Sequence, residues 1–419
     1  MKTNQPRIAL VVPRFPAPSE TFIVNKFLGL LDRGFDVHVV AGRIEGQLFA
    51  RFPALAANRG AMRRLHTSWP TSPRAVVPML APGAAFALLA RRGECVLLRY
   101  LTGLREKGAV ERLKAWYIDA AVAALRPDVV HFEFGALAVD RMHLKRLLKT
   151  KITVSFRGHD ISYVGLGCRD HYKEVWEKAE RVHFLGSDLL ERARRRGFPP
   201  GVPYDLIPPG IDTTAVDPGR ARERSHLQVD QQPVRILSVG RLHWAKGHEY
   251  ALHALALLKA SGVPFEFRLI GAGAHESAVR FACTDFGLEH DVQYLGERRH
   301  SEVISEMQAS DIFLHASVSE GFCNAVLEAQ AMMLPVVCSD AGGLAENVQH
   351  GVTGFVVPKR DPHALAEALL KLARDPGLRN RMGVAGRERV EREFSLEANI
   401  ARFAAFYERA MAGRDPGTE

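Results

Sequence analysis

The sequence has no Cys-X-X-Cys pair; its five cysteines, Cys95, Cys168, Cys283, Cys323 and Cys338, are scattered. That spacing argues against a structural zinc site or a disulfide framework and fits a reducing cytosol. No Asp-X-Asp motif is present to hold a divalent ion against a diphosphate. No apolar stretch reaches the roughly 20 residues of a membrane span. The longest, Ala75 to Ala90, is interrupted by Pro78, Pro82 and Gly83 and reads as a buried helix pair or, less readily, a segment dipping into a bilayer surface. The apolar run Ile8 to Val12 is too short for a signal-peptide core and is expected to form a first buried parallel strand. Gly271-Ala272-Gly273 lacks the third glycine of a dinucleotide fingerprint, which sets a nicotinamide site aside. No aromatic-studded basic stripe accompanies the positive charge, so nucleic acid is not an expected partner. There is no internal repeat, and only the tail Gly413 to Glu419 reads as disordered.

What is present is an ordinary globular composition at 419 residues, with 47% hydrophobic and 25% charged residues. This length exceeds what one core usually serves, so two domains are expected. Apolar runs alternate with helical stretches, the pattern of doubly wound α/β units. Strands are expected at Ile8–Val12, Val37–Val40, Val129–Phe132, Ile152–Phe156 and Val182–Leu185, then at Arg235–Val239, Glu266–Ile270, Val292–Leu295, Ile312–His315 and Val336–Cys338. Prolines at 199, 200, 203, 208 and 209 mark the boundary. The expected domains are 1–205 and 206–395.

Two stretches carry the chemistry. In the first, Glu320 lies on a loop between the strand ending at His315 and a helix beginning near Ala325, and Glu328 lies on that helix. Asn324 and Glu328, four apart, share a helix face. The backbone amides of Phe322, Cys323 and Asn324 at the helix start are expected to form an anion site. A loop carboxylate, several amides and a helix carboxylate suit a nucleotide sugar, whose hydroxyls want acceptors and whose diphosphate wants donors. Taken alone, the two glutamates fit a solvated loop and helix surface equally well. Cys323 reads as a small polarizable filler. In the second stretch, a strand closing on Gly240 is followed by Arg241 and Lys246, a planar fork and a point charge for phosphate. His131-Phe132-Glu133 has no further ligand at helical spacing and reads as a cleft-lining strand end rather than a metal site.

The chain resembles the retaining GT-B glycosyltransferases of family 4. The resemblance rests on Gly240-Arg241-Leu242 with Lys246-Gly247, on Leu269 to Gly273, on Glu320 through Glu328 into Pro335-Val336-Val337, on Gly342 to Glu346, and on Gly351 to Pro358. In the N-terminal half it rests on Phe15 to Ile23 and on Arg157-Gly158-His159-Asp160, and the first of these is most similar to members that build bacterial exopolysaccharides. The resemblance implies a GT-B architecture, two Rossmann-like domains facing across a cleft, with the helix 396–411 packing back on the N-terminal acceptor-side domain. The C-terminal domain would hold the donor, a UDP- or GDP-sugar.

Residue by residue, the resemblance implies that Arg241 and Lys246 meet the diphosphate, Glu328 the ribose, and Glu320 and His159 the transferred sugar. Gly240, Gly321, Phe322, Cys323, Asn324 and Arg298 complete the donor site. Amides around Ser19, Glu20 and Thr21 would serve phosphate or acceptor in place of a glycine-rich loop. No cofactor and no metal are implied. The acceptor is expected to be a glycan or a lipid-linked oligosaccharide, with a soluble small molecule as the alternative. A non-catalytic nucleotide-sugar-binding protein, an epimerase and a phosphorylase are the rival readings, and the last lacks a pyridoxal-binding lysine in context. Between Arg51 and Ile118 the excess of basic over acidic residues equals the whole net charge of +9. That segment suits peripheral contact with an anionic membrane, or equally a solvated basic face. The expected location is the cytoplasm.

Overall fold

The computed structural model describes residues 6–17, 20–68, 96–104, 106–214, 218–219 and 232–413. Ser19, Cys95, the Ala75–Ala90 stretch, part of the basic segment and the tail beyond Gly413 lie outside the described residues. Among those described, no helix is long and apolar enough to cross a membrane. The chain divides into two compact units, one of residues 1–185, 189–207 and 400–419, the other of residues 186–188 and 208–399.

Each unit is built on a parallel sheet of the doubly wound kind, the GT-B pattern. In the first unit the strands are β1 (Arg7–Phe15), β2 (Asp36–Ile44), β3 (Leu65–Thr67), β4 (Val129–Phe132), β5 (Lys151–Phe156), β6 (Arg181–Phe184) and β7 (Tyr204–Leu206). They lie in the order β3-β2-β1-β4-β5-β6-β7. The second unit has β8 (Val234–Val239), β9 (Phe265–Ile270), β10 (Val292–Gly296), β11 (Ile312–His315), β12 (Val336–Ser339) and β13 (Gly354–Val357), ordered β10-β9-β8-β11-β12-β13. Runs such as Ile8–Val12 and Ile312–Leu314 are buried on both faces, as parallel strands covered by helices must be. In both sheets the chain winds outward from its first strand and then returns to that strand's other side. The strand order therefore reverses between β1 and β4 and between β8 and β11, where such sheets open a crevice at the strands' carboxyl ends.

The crevice of the first sheet is filled. The helix Thr21–Asp32 after β1 buries Ile23, Val24, Phe27 and Leu30, and its register brings Lys26 inward with them. Lys26, 1% exposed, pairs with the completely buried Glu133 that follows β4. Arg157 Nη2 reaches the other carboxylate oxygen at 2.5 Å. Burial pushes the Lys26 ammonium down to about 8, while the flanking lysine and arginine hold Glu133 well below the usual carboxylate range despite its burial. His131 and Glu133 are thus neither a cleft lining nor a metal site.

The histidines beside them form a directed chain. His183 Nε2 must donate to the carbonyl of Ile207, 2.8 Å away, so its Nδ1 accepts from Ser155 Oγ at 2.8 Å. Ser155 Oγ then accepts from His131 Nε2 at 2.9 Å, and His131 Nδ1 accepts from Thr153 Oγ1 at 2.8 Å. One carbonyl fixes both tautomers, and burial lowers the pKa of His131 to about 4 and holds that of His183 well below its ordinary value.

The final helix, Leu396–Ala412, supplies the lid of this cluster from Ile400 onward. Phe406 and Tyr407 meet the His131 ring edge-on at 5.9 and 5.4 Å, and Lys26 Nζ lies 4.3 Å from the Phe403 ring centre. Gly29 allows the approach, because a Cβ there would collide with the Ile400 side chain.

Candidate active site

The crevice of the second sheet is lined differently. After β8 the chain makes a turn whose Gly240 and Leu242 amides donate to Ile270 at the end of β9 and to Ala272 on the loop that follows, at 2.9 and 3.0 Å. A Cβ on Gly271 would collide with the Gly240 carbonyl, and one on Gly273 with that of Leu242. These two glycines therefore serve loop-on-loop packing. His243 caps the single turn Trp244–Lys246 through its Nδ1, and Gly247, at φ 60°, starts the helix His248–Ala260. This turn aims Lys246 at the loop that follows β11.

That loop is tied to the first by two amides, Val318 at 2.9 Å and Ser319 at 3.3 Å, both donating to the Ala245 carbonyl. Ser339 Oγ also donates to the Ser317 carbonyl. With both loops fixed, Lys246 Nζ stands 2.5 Å from Glu320 Oε2, and the two side chains keep 16% and 14% of their surface exposed. Ser317 Oγ donates to the same oxygen at 3.2 Å, and His315 Nε2 lies 3.4 Å from it. Burial alone would raise the Glu320 carboxyl, but Lys246 and His315 outweigh it and bring it down to about 2. Lys246 moves up in turn: burial opposes its charge, and Glu320 more than compensates. Burial likewise opposes a charged His315, yet Cys323 and Glu320 raise it to about 9.

The remaining expected residues fall into three groups. Gly321 and Cys323 are buried, and Phe322 packs against Phe394 at 5.9 Å. Asn324, half-buried, opens the helix Asn324–Ala331. Glu328, also half-buried on that helix, accepts from His300 Nε2 at 3.1 Å, a bond that raises the His300 pKa. Gly240 is half-buried, and Arg241 and Arg298 are exposed on the turns after β8 and β10.

The expected three-amide anion site is not intact. The Cys323 amide donates to Asn347 Oδ1 at 3.2 Å, and Asn347 Nδ2 donates back to the Cys323 carbonyl at 3.0 Å. Cys323 is also more than a filler, since its Sγ lies 3.5 Å from His315 Nε2.

In the first unit, His159 is exposed at the start of the short helix His159–Tyr163. Its neighbour Asp160 is buried and accepts amides from Gly135, Arg157, Gly158 and Ile161 at 2.8–3.1 Å, which fixes the turn that presents the histidine. Thr21 opens the helix after β1, and the Glu20 amide is taken by the Ala17 carbonyl at 3.0 Å, so that amide does not serve phosphate.

Lys246, Glu320 and Cys323 are therefore brought together within one unit. His315, Ser317 and Asn347 join this site without having been singled out from sequence, and His300 is likewise the unforeseen partner of Glu328. His315 closes a buried parallel strand, where a polar residue signals a site. Asn347 gave no signal, because its role is to hold another loop's backbone.

The family described as glycosyl transferases group 1 matches residues 219–389. The chain is 30% identical over 419 residues to the amylovoran biosynthesis glycosyltransferase AmsK of Erwinia amylovora, covering 96% of this chain and 99% of that protein. It is 27% identical to the putative colanic acid biosynthesis glycosyltransferase WcaL of Escherichia coli K12, over 93% and 97% of the two chains. In fold it is similar to a sucrose-phosphate synthase from Thermosynechococcus elongatus, with TM-score 0.73, 20% identity and coverage of 97% and 100%. It is also similar to Anabaena HepE in complex with UDP and glucose, with TM-score 0.71, 17% identity and coverage of 96% and 100%.

Proposed function

The chain belongs to the glycosyl transferases group 1 family, and on that premise we propose that it is a retaining glycosyltransferase using a nucleotide-sugar donor in exopolysaccharide assembly. The observation that supports this best is the Lys246–Glu320 pair at the carboxyl ends of β8 and β11, 2.5 Å apart and still open to solvent. A lysine raised in pKa stays a full positive charge, and a carboxylate held at about 2 stays a full acceptor, across the physiological range.

In the proposed reaction Lys246 and the exposed Arg241 meet the diphosphate. The bond between the anomeric carbon and the diphosphate oxygen breaks with its electron pair going to that oxygen, and these cations stabilise the charge that grows there. Glu320 accepts from hydroxyls of the transferred sugar and Glu328 from those of the ribose. The acceptor oxygen bonds to the anomeric carbon from the face the diphosphate leaves, and its proton passes to a phosphate oxygen, so retention needs no enzyme nucleophile. Among relatives, AmsK and WcaL are named for amylovoran and colanic acid biosynthesis, and HepE is seen with UDP and glucose. These support a surface polysaccharide product and a UDP-sugar, with GDP-sugars as the second class to test. A lipid-linked acceptor at an anionic membrane suits the basic segment between Arg51 and Ile118.

The test is thermal stabilisation of the purified protein by UDP-, GDP-, ADP- and TDP-sugars with and without EDTA, since a ligand of the folded state alone raises its melting temperature. A shift confined to one nucleotide class that survives EDTA is expected, together with unchanged anomeric configuration in the product. No shift with any donor, or an inverted product, overturns the reading.

A further inference from the structure

His315 Nε2, Glu320 Oε2 and Cys323 Sγ converge from a strand end, a loop and a helix start, all within 4.8 Å of one another. Zinc bonds of about 2.3 Å to sulfur and about 2.0–2.1 Å to nitrogen or oxygen, at the tetrahedral angle, put sulfur and nitrogen about 3.6 Å apart and nitrogen and oxygen about 3.4 Å apart. The structure has 3.5 Å from His315 Nε2 to Cys323 Sγ and 3.4 Å from His315 Nε2 to Glu320 Oε2. Ser317 Oγ, 3.0 Å from the same nitrogen and 3.2 Å from the same oxygen, stands beside this triangle. The backbone around it is fixed by the Asn347–Cys323 amide pair and the bonds to Ala245, so little must move for the three atoms to act together.

We infer that His315, Glu320 and Cys323 form a reversible binding site for a borderline-soft divalent ion, Zn²⁺ above all, whose occupancy takes Glu320 away from Lys246. A thiolate, an imidazole and one carboxylate select zinc over magnesium or calcium. Binding forms the metal–sulfur and metal–nitrogen bonds as the Cys323 thiol proton and the His315 Nε2 proton leave to solvent. Lys246 is the competitor: its ammonium holds Glu320 at 2.5 Å, and its flexible stem lets it withdraw. The site is built for release, because His315 Nδ1 is buried with no hydrogen-bond partner among the described residues to orient and strengthen the ligand. Metal binding does not depend on the proposed transfer reaction; inhibition of transfer by the bound ion does.

The experiment is Zn²⁺ titration of the full chain against a chromophoric chelator, with Co²⁺ absorption as a second reading. One ion per chain is expected, removed by EDTA and not displaced by Mg²⁺, with a sulfur-to-cobalt charge-transfer band. Cys323→Ser should weaken binding at least ~10-fold, and Cys168→Ser, at an exposed cysteine, should leave it unchanged. Lys246→Met should tighten binding, because the competing ammonium is gone. Absence of the charge-transfer band in the wild-type protein overturns the site even if Cys323→Ser fails to fold. Zinc affinity insensitive to Cys323→Ser, or unimproved by Lys246→Met, overturns it as well.

Discussion

The two sheets put a lysine–glutamate pair at the same topological place and use it in opposite ways. Lys26 and Glu133 stand where the strand order reverses in the first sheet, Lys246 and Glu320 where it reverses in the second. The first pair has 1% and 0% of its side-chain surface exposed, the second 16% and 14%. What separates them is cover. A helix register and the aromatic side chains of the final helix close over the first pair, whereas hydrogen-bonded loops frame the second and leave it reachable. A buried pair contributes mainly by not being broken, and a reachable one has a carboxylate and an ammonium to offer a ligand.

The sharpest way to break this comparison is to remove one member of the sealed pair. Glu133→Gln leaves Lys26 and Arg157 without their counter-charge and should cost about 3–5 kcal/mol in chemical denaturation. A loss below about 1 kcal/mol would mean that water reaches the cluster and that the contrast with the second pair is lost. Next in size, Lys246→Ala should lower turnover roughly 10²–10³-fold, about 2.7–4 kcal/mol of transition-state stabilisation. Turnover within tenfold of wild type would remove Lys246 from the leaving group.

Acid sharpens the comparison further. Above pH 6.5 His131 is neutral folded or unfolded; as the pH falls from 6.5 toward 4 the unfolded chain binds a proton that the folded chain refuses, and stability drops by up to about 3 kcal/mol. His183 acts in the same direction in the same unit. In the second unit His248, lowered to about 4, loses stability in the same window, while His315, whose contribution is complete below 6.5 and is lost only as the pH rises through about 9, adds no loss on acidification. Hydrogen exchange at pH 5 should therefore show β4 to β6 losing protection before β8 and β11, and equal loss in both units would contradict this. The smallest effect is at Glu328, whose partner His300 is 58% exposed. Glu328→Ala should change stability by less than about 1 kcal/mol while weakening donor binding; an unchanged donor affinity in calorimetry would remove its ribose role.

Much of this was legible in the sequence because buried parallel strands are continuous apolar runs. Ten strands showed themselves in the sequence, most as such runs, although Glu266 and Arg268 interrupt β9 and Gln293 interrupts β10. The three that did not, β3 (Leu65–Thr67), β7 (Tyr204–Leu206) and β13 (Gly354–Val357), are sheet edges of three or four residues with one neighbour each and partly exposed side chains. Lys246 and Glu320 were visible as charges on loops after such runs. The Asn347 clamp was not, because an asparagine that bonds another loop's backbone has no spacing to betray it. His131 and Glu133 were misread for a related reason. A polar strand end looks the same in sequence whether it faces solvent or is covered, and its cover comes from Phe403, Phe406 and Tyr407 at the far end of the chain.

That last contact sets the order in which the protein is completed during synthesis. The first unit is begun at β1 but lacks residues 400–412 until all of the second unit has been made. The second unit, closed by residue 399, has all its parts first. Nascent first-unit strands thus wait with Lys26, His131 and Glu133 uncovered while the later-encoded unit folds, the reverse of the usual N-terminal-first sequence. A stop codon in place of Ile400 would spare the second unit and leave the first one permanently unfinished.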